Sequence, residues 1–309
     1  MDKKTERLVN VARMYYEQDR TQSEIADQYG ISRPMVSKLL KEARDKGIVT
    51  IRISAPQEES GGALSLMELV GRCFGIYDGV AVPDGPNDQT TNEAVAEAAI
   101  SYLSGLGGTG LGIGWGHIIG DVVKHMEQRE TLVPIGTFVC PLIGNGGVGL
   151  KNYHSNELVR SIAEHSGAQP RFIYSPACVL SEQELKLTRE LDSYHEIYHV
   201  WEKLDVALVN IGNFPSVPDF ASEARYGDLL IRQKAVGRIL NYFMDSQGHI
   251  IRSDTDYAIQ IPLELLSGTR HVVGICSANT SPKAFRGALK TGYLKHFIAP
   301  EHVVREALE

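Results

Sequence analysis

The sequence predicts an α/β protein in two parts. One is an N-terminal winged helix-turn-helix over residues 1–54; the other is a large, mainly parallel, Rossmann-like α/β domain over residues 55–309. Three observations carry this. The leading segment holds a capped short helix, a glycine turn and a second capped helix. The stretch SAPQEESGG, from Ser54 to Gly62, has the composition of a linker. Beyond it, short apolar runs alternate with helical patterns, as in parallel strands joined by crossover helices.

In the head, Leu8, Val11, Ala12 and Tyr15 fall on one helical face between Lys3 and Gln18. Thr21-Gln22-Ser23-Glu24 is a capping box that opens a second helix, with Ile25 and Ala26 inward and Gly30 as its left-handed end. Ser32 caps a third helix, Pro34 sits harmlessly in its first turn, and Val36, Leu39, Leu40 and Ala43 form its buried stripe. The opposite face carries Arg33, Ser37, Lys38 and Lys41, a cationic surface suited to a major groove. Arg33, near the helix start, is placed to reach a guanine edge; Lys38 and Lys41 are expected on phosphates, as are Gln22 and Ser23. The alternation in residues 48–53 reads as a strand, hence a wing.

Charge agrees with this division. The chain of 309 residues has a net charge of −7, yet residues 1–54 hold 11 Lys/Arg against 8 Asp/Glu, leaving 20 against 30 for the rest. A mildly basic head on an acidic body fits a protein that meets phosphates at one end. Cys73, Cys140, Cys178 and Cys276 form no C-x-x-C pair, which excludes a zinc ribbon or disulfide framework and favours a reducing compartment. No apolar stretch approaches the length of a membrane span and no signal region is seen, so a cytoplasmic location is expected.

In the body, helices are expected at 64–74 and 92–106. Strands are expected at 79–82, 109–113, 137–142, 171–174, 206–211, 271–276 and 294–298. Ligands in such sheets bind at the carboxyl ends of strands. The loops there are Gly114-Trp115-Gly116-His117, Gly144-Asn145-Gly146-Gly147, Gly212-Asn213, and the segment from Ser277 that sets Lys283 in the first turn of a helix. A cation at a helix start opposes the macrodipole, and an anionic ligand would explain it. The glycine spacing G-x-G-x-G is not the dinucleotide fingerprint. No cofactor and no metal site is expected.

These residues resemble the SorC family of sugar-responsive regulators, grouped with the deoxyribonucleoside regulators, over nearly the whole chain. The match is carried by Tyr15-Tyr16, the segments from Thr21 to Ala26 and Ile31 to Pro34, Gly114-Trp115-Gly116, and the run from Leu204 to Gly212. Ala235-Val236-Gly237, Gly287-Ala288-Leu289 and Gly292-Tyr293-Leu294 add to it. The resemblance implies an effector domain similar to sugar-phosphate isomerases and deaminases, sugar-phosphate effectors, a dimeric or tetrameric assembly and control of carbohydrate genes. It places Gly114, Trp115, Gly116, His117, Gly144, Asn145, Gly146, Gly212, Asn213 and Lys283 at the effector pocket, with Asp254, ahead of Asp256, as an acceptor for sugar hydroxyls. Two departures stand out. Some members hold a sugar aldehyde on a Schiff-base lysine where this chain reads Ile143-Gly144, so covalent capture is not expected. Many read Ala-Val-Gly-Asp where this one ends in Arg238, so local contacts differ there.

The expected function is a DNA-binding transcriptional regulator of carbohydrate metabolism. Its partners are an operator duplex, a small sugar or sugar-phosphate effector and further copies of itself, and no membrane. The alternatives are a sugar-phosphate isomerase or deaminase with a DNA-binding head, which needs an acid–base pair that the strand-end loops do not display, and a DNA binder whose body only oligomerises.

Overall fold

The computed structural model describes residues 3–16, 20–45, 48–49, 65–147, 149–216 and 225–309. Its contacts divide the chain into two compact units, Met1–Ala63 and Leu64–Glu309.

The first unit contains α1 (Lys3–Tyr16), α2 (Gln22–Tyr29) and α3 (Arg33–Asp45). Val11, Met14, Ile25, Ala26, Val36 and Leu40 form its core, beside a smaller cluster of Leu8, Ala12 and Ala43. The capping box is built as the sequence dictates: the Thr21 N–H donates to Glu24 Oε2 (2.8 Å) and the Glu24 N–H to Thr21 Oγ1 (3.3 Å). Gly30, at φ +62°, turns the chain and lets the Ile31 N–H reach the Ala26 carbonyl (3.0 Å). The Ile48 and Val49 N–H groups both return to the Ala43 carbonyl (2.9 and 3.2 Å), so these two residues close α3 instead of opening a strand. The remainder of the expected wing strand, and the linker at 54–62, lie outside the described residues.

The second unit is wound on one sheet. Its strands are β1 (Gly79–Val82), β2 (Gly110–Ile113), β3 (Phe138–Pro141), β4 (Gln169–Pro170), β5 (Val206–Asn213), β6 (Gly237–Ile239), β7 (Tyr242–Met244), β8 (His271–Ile275) and β9 (His296–Pro300). The order is β1-β9-β8-β5-β2-β3-β4, all parallel, while β6 and β7 form an antiparallel hairpin on the far end of β5. Helices α4 (Leu66–Phe74), α5 (Asp88–Leu106), α6 (His117–Glu127), α7 (Ser155–Ser166), α8 (Glu182–Glu190), α9 (Asp192–Trp201), α10 (Leu229–Arg232), α11 (Leu263–Gly268), α12 (Pro282–Lys290) and α13 (Glu301–Leu308) connect the strands. α5, α6 and α7 pack in one row, and α4, α13 and α12 in another. Every residue of β2 and of β9 is buried, as strands covered on both faces must be. Among the described residues no helix is long and apolar enough to cross a membrane.

Two expectations need correction, and one hairpin was not foreseen. α5 begins at Asp88, not at residue 92, because Asn87 caps it: the Thr90 N–H donates to Asn87 Oδ1 (3.0 Å). The strand expected at 171–174 does not form. β4 is only Gln169–Pro170, and beyond it Asn156 takes the role of a neighbouring strand, accepting from the Ile173 N–H (3.0 Å) and donating to its carbonyl (2.8 Å). The β6–β7 hairpin escapes a sequence reading because its turn uses Leu240, at φ +52°, where glycine or asparagine is the usual signal.

Replacing Asn156 by Ala leaves the N–H of the buried Ile173 without its partner and its carbonyl with only the bond from Asn145 Nδ2 (3.3 Å). Urea unfolding of Asn156→Ala is expected to lose about 1–3 kcal/mol, the cost of one unsatisfied buried group, with Asn156→Asp losing less because one acceptor remains. An unchanged midpoint in both would remove Asn156 from this account.

Candidate functional site

The head presents a polar face built by capping and by burial of the opposite stripe. With Val36, Leu40 and Ala43 inside, Arg33, Ser37, Lys38 and Lys41 stand exposed on the outer side of α3. Ser32 opens that helix through its carbonyl, which accepts from Met35 and Val36 (2.9 and 3.2 Å). Arg33 shares an open groove with Gln22 and Ser23 from the start of α2, together with Arg20, Thr21, Tyr15 and Tyr16. The groove thus gathers two guanidiniums and the N-terminal amides of a helix, an arrangement that holds a phosphate. Arg20 was not singled out from sequence, although its place immediately before the capping threonine was a usable signal.

In the second unit, the sheet topology locates the crevice. From β2 the chain winds toward β3 and β4; from β5 it winds toward β8 and β9. Connections leaving adjacent strands in opposite directions open a cleft at their carboxyl ends. A cavity of 450 Å³ lies there, lined by Asn92, Gly116, His117, Asp121, Tyr153, Asn210, Gly212, Asn213, Arg238, Ser277, Asn279 and Thr280, among others. Gly116 adopts φ +108°, open to glycine, and its N–H donates to the Asn152 carbonyl (2.8 Å), which starts α6 at the cavity edge. Asn213 ties the end of β5 to the loop after β8, donating to the Asn279 carbonyl (2.9 Å) and accepting from the Ser281 N–H (2.7 Å).

The lining is mostly amide, hydroxyl and charge, with Ile118, Ile211 and Pro215 as its apolar part. Asp121 is pushed up by burial, against the pull of His125, Lys124 and His117. Burial likewise raises the Tyr153 hydroxyl, opposed by the nearby Arg238. Such a wall suits a ligand with many hydroxyls.

Comparison with known proteins gives this geometry a family. Residues 59–309 match the Sugar-bind family of sugar-binding domains, and residues 5–46 match the family described as Sigma-70, region 4. The chain is 31% identical to the sorbitol operon regulator of Klebsiella pneumoniae, over 93% of this chain and 92% of that protein. The chain belongs to the SorC family of sugar-binding transcriptional regulators. It is also 27% identical to the deoxyribonucleoside regulator of Bacillus subtilis strain 168, covering 99% and 98% of the two chains. The crystal structure of the full-length Klebsiella pneumoniae SorC superposes with a TM-score of 0.71 at 27% identity and full coverage of both. Like its relatives, this SorC-family chain is a DNA-binding transcriptional regulator of sugar metabolism.

The structure separates the residues that sequence reasoning grouped at the SorC-family pocket. Gly116, His117, Gly212 and Asn213 come together on the cavity wall. Trp115 does not line it: the side chain is fully buried and packs edge-on against Tyr153, ring centroids 5.7 Å apart. Gly114 is a packing residue, since a Cβ there would lie 2.8 Å from Leu240 Cδ2. Gly144, Asn145 and Gly146 also lie behind the wall. The Gly144 N–H donates to the Ile259 carbonyl (2.9 Å), Asn145 Nδ2 to the Ile173 carbonyl (3.3 Å), and the Gly146 N–H to the Tyr153 carbonyl (2.8 Å). Asp254 is exposed at a separate depression beside Arg189, Arg252 and Glu264. Its neighbour Asp256 is engaged by Arg225 Nε (2.8 Å) and the Tyr226 hydroxyl (2.6 Å). Lys283 is exposed on α12, outside the cavity. Arg238, Asn210 and Asp121 are lining residues that were not proposed from sequence; their places depend on which strands meet.

One wall is held by a histidine. His302, on α13, pairs through Nδ1 with Asp84 Oδ1, while its backbone N–H donates to Asp84 Oδ2 (2.9 Å) and its Nε2 lies 3.0 Å from the carbonyl of Ala278, beside the lining Ser277 and Asn279. Both partners of the ring are acceptors, so both bonds form only with the imidazolium. Burial works against that charge, but the bond and charge of Asp84, the Ala278 carbonyl and Glu306 raise the pKa of His302 above its ordinary value. A histidine raised on folding adds stability that is complete below its unfolded value of about 6.5 and is lost as pH climbs through the folded value. The melting-temperature gap between the parent and His302→Ala is therefore expected to narrow from pH 6 to pH 8. A gap that stays constant or widens would contradict this.

Proposed function

We propose that this chain is a sugar-gated operator binder in which Arg33 reads a base edge and Lys38, Lys41, Gln22 and Ser23, joined by Arg20, hold phosphates, with Ser32 and Ser37 at the same surface. The effector, a small sugar or sugar phosphate, occupies the crevice between β2 and β5 against Gly116, His117, Gly212 and Asn213. Gly114, Trp115, Gly144, Asn145 and Gly146 brace it from behind. The working form is a homo-oligomer, dimer or tetramer, in the cytoplasm, and the effector is bound without being turned over. Gating follows from linkage: a ligand with different affinities for two arrangements of the DNA heads shifts their populations by that difference and no more.

The observation that carries this reading is the polar cavity at the reversal of winding, in a domain whose relatives regulate sugar operons.

Arg33→Ala is expected to weaken specific operator binding by about 1–3 kcal/mol while non-specific binding changes little. Lys38→Ala is expected to weaken both and to reduce the slope of log affinity against log salt by roughly 1. Binding isotherms at several salt concentrations separate the two. An Arg33→Ala protein with parental specificity would remove Arg33 from base recognition.

A further inference from the structure

The amino ends of the sheet, opposite the crevice, carry a second cluster of ionisable side chains. His271 is the first residue of β8 and His296 the first of β9, and these strands pair in parallel with Val273 opposite His296. Their rings meet across the strand pair, with His271 Nδ1 2.9 Å from His296 Nε2. The other nitrogen of His296, Nδ1, lies 2.8 Å from the Tyr102 hydroxyl on α5 and 3.5 Å from Asp78 Oδ2, just ahead of β1. His296 is 8% exposed and Tyr102 7%, while Asp78 is open to solvent. Arg270 and Lys295, each one residue before its histidine, add charge, as does Asp205 ahead of β5. The Asp205 carbonyl also accepts from the His271 N–H (2.8 Å).

The contact limits how many protons the two rings can hold. A neutral imidazole has one N–H donor and one acceptor nitrogen, and an imidazolium has two donors. With both rings neutral, one donates to the other and the contact stands. With one proton added it still stands, because the charged ring donates to its neutral neighbour. With two, N–H faces N–H and two like charges meet in a site largely closed to water, so the contact fails. Burial, above all, holds both rings below the ordinary histidine value of about 6.5. Arg270 acts in the same direction on His271, His271 on His296, and Lys295 on both, against the pull of Asp78 on both and of Asp205 on His271.

We infer that the His271–His296 pair is an acid-sensitive clasp, closed while it holds at most one proton and released by the second, when the amino ends of β8 and β9 part. It acts whatever ligand fills the crevice, which lies at the other end of the sheet. Histidines lowered on folding contribute stability that is present above the unfolded value and is lost as pH falls through the folded one. The sign is opposite to that of His302, so acid and alkali act on the body through different residues.

The test is the melting temperature of the full chain from pH 7.5 to pH 5 at fixed ionic strength. The double variant His271→Asn, His296→Gln keeps a neutral hydrogen-bonding amide near each of the two facing nitrogens and takes up no proton. Over that range the parent is expected to lose at least about 4 °C more than the variant, the scale on which histidine linkage moves a domain of this size. Every other titrating group is common to both proteins and cancels in the difference. Where the double variant does not fold, the ring resonances of His271 and His296 in the parent carry the test, both titrating below about 6.5. In His271→Asn alone, the midpoint of His296 is expected to rise, because the neighbouring charge is gone. Parallel melting curves against pH in parent and double variant overturn the clasp. So does either ring titrating at or above the ordinary value, or a His296 midpoint unmoved by His271→Asn.

Discussion

The pairing of β2 with β5 is the constraint on which the second unit depends. These strands are adjacent and parallel, yet the chain leaves them in opposite directions, so no crossover covers their shared carboxyl end. Glycines in β2 make room for the side chains packed over it. A Cβ at Gly112 would lie 2.4 Å from Leu142 Cδ2, and one at Gly110 would enter the Phe138 ring at 2.1 Å. β2 thus contributes backbone where its neighbours contribute bulk, and the core closes around it with Leu111 and Ile113. The cavity is a consequence of that winding, and its lining is whatever the ends of β2, β5 and β8 carry.

That dependence explains what could be read in advance. Strands such as 79–82 and 206–211 are legible because they are short, mainly apolar runs between turn signals; in the central β5, burial through Ile211 on both faces demands such a pattern, while the edge strand β1 is only partly buried. The head is legible for a different reason: Thr21, Glu24, Gly30 and Pro34 each act within one helical turn, so their physics is local in sequence. The Asn87 cap was passed over because its reciprocal partner is Thr90, not the glutamate that makes such a box conspicuous.

The site was legible only by its loops. Reading strand-end glycines as ligand contacts treats every close approach alike, but glycine also serves packing. Gly116 and Gly212 reach the cavity, whereas Gly144 is a glycine because a Cβ there would strike the Pro176 carbonyl at 2.2 Å. Nothing within a few residues of either distinguishes them. Asn156, which reads as an ordinary residue in a first helical turn, supplies the hydrogen bonds that end a strand. Long-range substitution of this kind leaves no periodicity to detect.

Charge follows the same rule of placement over composition. The body is acidic as a whole, which on net charge alone disfavours an anionic ligand. Net charge acts through solvent and is screened within about 8–10 Å at ordinary ionic strength. A ligand inside a cavity of 450 Å³ feels the few groups that line it, and there a buried arginine is set against a carboxyl whose ionisation burial opposes. The wall around them is already tied together, with Asn213 spanning two loops and the Ser277 N–H held by Thr280 Oγ1 (2.9 Å), so a ligand need order little of it on arrival. Binding energy not used in ordering the wall remains available as a difference between two conformations, the only form in which it can act on DNA.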